Sequence, residues 1–333
     1  MTANSKIEWT DASFNPWTGC TRISPGCDNC YAATMAKRNP RVFGSWDPGA
    51  PRQRTSEHNW RQPLAWNRRA AREGRRIRVF CASMADVFDN QAPPEWRADL
   101  WALIAATPHL TWMLLTKRPQ NVAGMLPDGW GDGWPNVWLG TTVENQAEAD
   151  RRIPHLLAVP AKLRFLSCEP LLGPVDLGRV RVPEKEGADD GWRFDCLQVG
   201  DYYTQVEDDG RHTNGGDGPW RGARVDWVIA GGESGPGARP MHPDWARTLR
   251  DQCATAGVPF FFKQWGEWFP GEIDNLSDGN GWTAFPDIEH DPSAAVWEGR
   301  WKHNSACGTG MLRVGKARAG RLLDGREHNA VPA

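Results

Sequence analysis

Long apolar runs are missing from this chain. None approaches the roughly 18 consecutive apolar residues that a membrane-spanning helix needs. The opening stretch Met1-Thr-Ala-Asn-Ser-Lys-Ile-Glu-Trp9 lacks the basic-then-apolar layout of a secretory signal, so a cytoplasmic location is expected and no membrane partner. An excess of one charge is missing too: 39 basic residues stand against 41 acidic ones, a net charge of −2. A nucleic-acid partner would therefore need a local basic surface rather than the field of the whole molecule. Tyrosine is scarce, at three residues against 20 tryptophans, and most of the tryptophans read as packing residues. A disulfide framework is also lacking. Of eight cysteines, Cys81, Cys168, Cys196, Cys253 and Cys307 are scattered singly and three are clustered. Clustered cysteines in a long chain without an export signal point to metal ligation before bridging.

What is present is an ordinary globular composition, 40% hydrophobic and 24% charged over 333 residues. It suffices for a large α/β domain. The clustered thiols lie in Cys20-Thr-Arg-Ile-Ser-Pro-Gly-Cys27-Asp-Asn-Cys30-Tyr31, a C-x6-C-x2-C spacing. Gly19, Pro25 and Gly26 bend the backbone around them, so three sulfurs can face one object.

Downstream, six short apolar runs each end in residues with chemistry: Ile77–Ser83 before Asp86, Leu110–Leu115 before Lys117 and Arg118, and Val137–Gly140 before Glu144. Leu163–Leu166 precedes Cys168 and Glu169, Trp227–Ala230 precedes Gly231-Gly-Glu-Ser234, and Val258–Phe262 precedes Lys263. Helical patterns intervene over Pro93–Ala106, Gln146–Leu157 and Pro243–Ala256, the last with Gly257 as its stop. Strands alternating with helices predict βαβ units and a parallel sheet. Functional residues at the C-terminal strand ends are shared by barrels and open α/β sheets. The expected fold is therefore α/β: a (β/α) barrel or partial TIM-like barrel over residues 1–268, its first strand just before Cys20. Residues 176–224, rich in Gly, Asp and Arg, read as an insertion, and 269–333 as a C-terminal extension packed on the barrel.

Zinc is one reading of the three cysteines, but a structural zinc site needs four ligands, and the fourth would have to come from Cys81, Cys168 or a distant histidine. A [4Fe–4S] cluster held by three thiolates with one iron open is the other. Here the residues resemble a known family. A three-cysteine loop after a first strand, opening an α/β barrel, resembles the radical S-adenosylmethionine (radical SAM) superfamily. More narrowly, Asn15-Pro-Trp-Thr-Gly-Cys20, Gly26-Cys27-Asp-Asn-Cys30-Tyr31, Leu115-Thr-Lys-Arg-Pro119, Gly231-Gly-Glu-Ser-Gly-Pro-Gly-Ala-Arg-Pro240 and Phe261-Phe-Lys-Gln-Trp-Gly-Glu267 resemble the phage Gp37/Gp68 family (DUF5131-like) over nearly the whole chain.

The resemblance implies that Cys20, Cys27 and Cys30 hold a [4Fe–4S] cluster whose open iron binds S-adenosylmethionine. It also implies that an electron donor such as a flavodoxin or ferredoxin drives reductive cleavage to a 5′-deoxyadenosyl radical. The first cysteine gap is longer than the superfamily's commonest one. Asn29 stands where an aromatic residue is usual, and Gly231-Gly232-Glu233 follows a late strand rather than an early one.

The remaining candidates come from the residues. Gly231, Gly232, Glu233 and Ser234 read as a cofactor-binding turn or as glycines needing positive φ. Lys117, Arg118 and Lys263 read as cations for a carboxylate or phosphate or as solvated surface charges, the latter favoured for Arg118, and Glu169 reads as the best-placed acid. Cys81 and Cys168 read as core thiols or a fourth ligand. The basic run Arg68–Arg78 and the many tryptophans raise nucleic acid as a substrate. The alternatives to the radical enzyme are a zinc-stabilised phage accessory or nucleic-acid-binding protein, and a barrel hydrolase or lyase with structural cysteines.

Overall fold

A computed structural model describes residues 5, 7–182, 192–198, 203–206, 212–214, 222–272 and 309–332. Seven parallel strands form one sheet: β1 (Ala12–Ser13), β2 (Ile77–Cys81), β3 (Leu110–Thr116), β4 (Val137–Thr142), β5 (Arg164–Cys168), β6 (Trp227–Gly231) and β7 (Phe260–Gln264). They lie side by side in chain order, and the sheet curls into a half-barrel. Sequential order without a switch point separates this fold from doubly wound sheets.

Several strands run past their apolar cores into the residues expected to cap them. Thr116, Thr142 and Cys168 end their strands, and β7 begins after Pro259 and continues through Lys263 and Gln264.

The main helices are α1 (Tyr31–Arg38), α2 (Glu57–Glu73), α3 (Pro94–Ala105), α4 (Gln146–Leu157) and α5 (Pro243–Ala256). Local chemistry sets their ends. Ser56 caps α2 by accepting from the Asn59 amide, and Asn145 caps α4 by accepting from the Glu148 amide. Gly257 stops α5 in the left-handed region at φ 66°. Helices α2 to α5 bury Trp60, Leu100, Ile153 and Leu249 against the strand positions Val79, Leu114, Leu139 and Val228. The opposite strand positions make a second, smaller cluster from Phe80, Met113, Phe165, Trp227, Ile229 and Phe261, joined by Trp9. Both faces of the central strands are thus buried, which accounts for their nearly continuous apolar runs.

The chain's last segment lies along the free edge of β7: Phe262 N donates to His328 O at 2.9 Å, and Trp227 Nε1 to Ala330 O at 2.9 Å. Within 176–224 the described residues form a four-stranded antiparallel sheet from Val180–Arg181, Trp192–Phe194, Tyr203–Val206 and His212–Asn214. Residues 183–191, 199–202, 207–211 and 215–221 of that insertion, and 273–308 of the extension, lie outside the described residues.

Candidate functional site

The three-cysteine loop lies across the C-terminal edge of the sheet, and four strand ends hold it there. From β4, the buried Glu144 accepts a hydrogen bond from Ser24 Oγ at 2.7 Å. From β4's neighbour β3, Arg118 donates from Nη2 to Thr21 O at 2.8 Å and from Nη1 to the Cys20 sulfur at 3.5 Å. From β6, Glu233 accepts from Asn29 Nδ2 at 3.0 Å. Past β2, Ser83 O accepts from the Tyr31 hydroxyl at 2.6 Å.

Ion pairs back three of these holds, all but the Tyr31–Ser83 bond. Glu144 pairs with the wholly buried Arg152 at 2.7 Å, and burial pulls the Arg152 pKa down against the opposing effect of Glu144. Arg118 is buried rather than solvated, because it pairs with Asp86 at 3.0 Å. Burial disfavours its charge, yet Asp86 and Cys20 outweigh that and raise its pKa. Beneath the same part of the loop, Arg52 pairs with Asp89 at 2.7 Å and donates to Thr21 Oγ1. Glu233 is gripped by Arg239, which donates from Nη2 to Oε1 at 2.7 Å and from Nε to Oε2 at 2.9 Å. Arg239 also reaches Pro25 O at 2.8 Å and Asp28 at 3.2 Å, inside the loop. Gly26 is required by close approach: a Cβ there would lie 2.3 Å from Glu144 Oε1.

Cys20, Cys27 and Cys30 are free and partly exposed. Burial, then Asp86, pushes the Cys20 thiol up to about 11 against the pull of Arg118. Cys81 and Cys168 are wholly buried in the helix-side core, with their thiol pKa values raised by burial.

A second group of candidates shares the face opposite the helices. Alternation along β3 carries Met113 and Leu115 to Lys117, along β5 Phe165 to Ser167 and Glu169, and along β7 Phe261 to Lys263. The apolar cluster is therefore topped by a polar layer at the rim. Lys263 Nζ pairs with Glu169 at 3.1 Å. Lys117 Nζ donates to Thr142 Oγ1 at 3.2 Å and lies 3.9 Å from Glu144.

Gly231 and Gly232 do not need positive φ. They are small because Glu169 and the Trp265 carbonyl would meet their Cβ atoms at 2.5 and 1.9 Å. The Gly232 amide is bonded to Gln264 O at 2.9 Å, and Ser234 Oγ accepts from Gln264 Nε2 at 3.1 Å. Glu233 belongs with the cysteine loop, and Glu169 with Lys263.

Sequence reasoning missed Arg152, Arg239, Arg52 and Ser24. Arg239 sits in a motif that resembles the family's, but an arginine's partner across the fold leaves no local mark. The basic run falls elsewhere. Arg75 and Arg76 are exposed just before β2, at the N-terminal edge of the sheet, and the cysteine loop lies at the C-terminal edge.

A family profile described as "Protein of unknown function (DUF5131)" matches residues 4–332. The chain belongs to that family. No curated protein and no solved structure matches this DUF5131 chain.

The donor set of this DUF5131 loop is three free cysteine thiols, soft ligands that suit an iron–sulfur cluster or zinc. Among the described residues, no three His, Cys, Asp or Glu side chains converge as ligands of one metal ion. Zinc needs such convergence on a single point, with four ligands. A cubane cluster places each thiolate on a different iron, and so asks for three sulfurs around a cluster rather than around one ion.

Proposed function

We propose that this chain is a radical SAM-like enzyme, with Cys20, Cys27 and Cys30 holding a [4Fe–4S] cluster and S-adenosylmethionine as its cosubstrate. One observation carries the reading: three free, partly exposed thiols on a single loop pinned over the C-terminal edge of a parallel half-barrel. Such a cluster, when bound, supplies the electron that splits S-adenosylmethionine into methionine and a 5′-deoxyadenosyl radical, which takes a hydrogen atom from a substrate. The TIM-like identity of the half-barrel and a cytoplasmic setting belong to the same proposal.

In this reading the chain's own residues do the positioning. Glu144, Arg118 and Glu233 fix the loop. Lys117, with a single hydrogen bond to Thr142, has ammonium protons left to orient a carboxylate or phosphate. Lys263 and Glu169 form a paired acid and base on the same face of the sheet. The aromatic floor of Phe165, Trp227 and Phe261 excludes water from below the site. The basic run at the opposite sheet edge does not favour a nucleic-acid substrate over a small one.

Anaerobic loading with iron and sulfide, followed by reduction in the presence of S-adenosylmethionine, tests the chemistry. Formation of 5′-deoxyadenosine and methionine is the expected result. Zinc binding with no such cleavage would favour the zinc-stabilised alternative.

A further inference from the structure

Beyond β7 two further strands, Trp268–Glu272 and Thr309–Arg313, pair antiparallel, with Trp268 opposite Arg313. They pack against the turn that follows Glu233, where Ala238 shares a small buried cluster with Trp268 and Met311. Four successive carbonyls of that turn each accept from a side chain. Arg313 Nη2 donates to Gly235 O at 2.9 Å and to Pro236 O at 2.6 Å. Trp268 Nε1 donates to Ala238 O at 2.7 Å. The remaining carbonyl, Gly237 O, accepts at 2.6 Å from Nδ2 of Asn29, which lies between Cys27 and Cys30. Gly237 is required by this approach, because a Cβ there would collide with the Asn29 side chain. Glu267, just before the first of the two strands, accepts from the Gly235 amide at 3.0 Å. The turn is thus held by the added strands at three carbonyls and holds the cysteine loop through the fourth.

We propose that Trp268 and Arg313 are positioning residues for Cys27 and Cys30, which makes the C-terminal strand pair a working part of the site. They act through the carbonyl row to which Asn29 is bonded, and Asn29 sits between two of the three thiols. A turn already fixed spares the loop part of the entropy of being ordered. Loss of a donor from the row gives a carbonyl back to water and frees the turn to move with Asn29. Cys20 is held differently, at the other end of the loop, by Arg118 acting on its sulfur and on Thr21 O. A strand pair that merely stabilised the fold would loosen all three thiols alike, and this difference separates the two roles.

The test alkylates metal-free protein under anaerobic conditions and follows each cysteine separately by peptide mass spectrometry. In Arg313→Ala, Cys27 and Cys30 are expected to react roughly threefold to tenfold faster, the scale of a local opening that has lost one or two hydrogen bonds. Cys20 should keep its wild-type rate. Arg313→Lys retains a charged donor and should recover most of the wild-type behaviour. Trp268→Phe keeps a ring in the buried cluster, removes the N–H, and should accelerate the same two cysteines. Unchanged rates at Cys27 and Cys30 in Arg313→Ala and Trp268→Phe would overturn the proposal, and so would equal acceleration of all three thiols. That these thiols serve a cluster rests on the reading above, whereas the labelling needs none. Protein that labels as expected but never takes up iron and sulfide would contradict that reading and leave the positioning role standing.

Discussion

Ser24 Oγ donates to Glu144 at 2.7 Å, joining residues 120 positions apart in the chain. Glu144 spends its other oxygen on Arg152, so one buried carboxylate binds the cysteine loop to α4 and to the end of β4. Removing the carboxylate leaves the buried Arg152 without its closer ionic partner, Glu148 at 3.0 Å being the other. Glu144→Ala is expected to destabilise the protein by about 3–5 kcal/mol, the usual cost of breaking a buried pair. Ser24→Ala, which removes a single hydrogen bond, should cost about 1–2 kcal/mol. Denaturant unfolding of the two variants checks the contrast, and equal losses would contradict it.

Glu233 and Arg239 hold the other side of the loop without belonging to the half-barrel's core. Arg239→Gln should leave the thermal transition within a few degrees of wild type while exposing the loop. Alkylation of Cys27 and Cys30 by a thiol reagent should then run several-fold faster. Unchanged labelling would mean that the contacts among Arg239, Pro25 and Asp28 do not restrain the loop.

Arg118 points a charged donor at the Cys20 sulfur. Hydrogen bonds and net charge near the sulfurs set the potential of a cluster. Arg118→Gln is therefore expected to shift the cluster's reduction potential downward, by on the order of tens of millivolts. Redox titration followed by electron paramagnetic resonance measures this, and an unshifted potential would show that the contact does not act on the cluster.

His242 caps α5 by accepting from the Asp244 amide through Nδ1, which requires a neutral ring. Burial lowers its pKa from 6.5 to about 4. The unfolded chain thus takes up this proton first as pH falls. His242 contributes its full share of stability above about pH 6.5 and loses it as pH drops through 4. The loss is on the order of 3 kcal/mol. His242→Asn keeps a capping acceptor but removes the titration, so its acid limb of stability should be shallower over that window. Identical pH profiles would refute the assignment.

Much of the fold was written in local pattern. The runs around Val79, Leu114, Val228 and Phe262 gave the parallel strands, and Gly257 marked the end of α5 correctly. The half-barrel itself follows from their sequential order, which a single sequence does not spell out. The small sheet within 176–224 was missed because its strands are two to four residues long and lack an apolar period. Within the site, cysteine spacing was legible because all three thiols lie on one loop. The partners that fix it were not, since Arg152, Arg239 and Arg52 act across the fold. Arg118 reads as a surface charge in sequence because nothing beside it in the chain reveals that Asp86 waits in the interior.

The central claim is that Cys20, Cys27 and Cys30 hold a cluster, and metal analysis after anaerobic reconstitution tests it most directly. The account predicts about four iron and four sulfide per chain, all lost in the folded Cys20→Ala/Cys27→Ala/Cys30→Ala variant. Stoichiometric zinc with no iron uptake, or full iron retention by the triple variant, would contradict it.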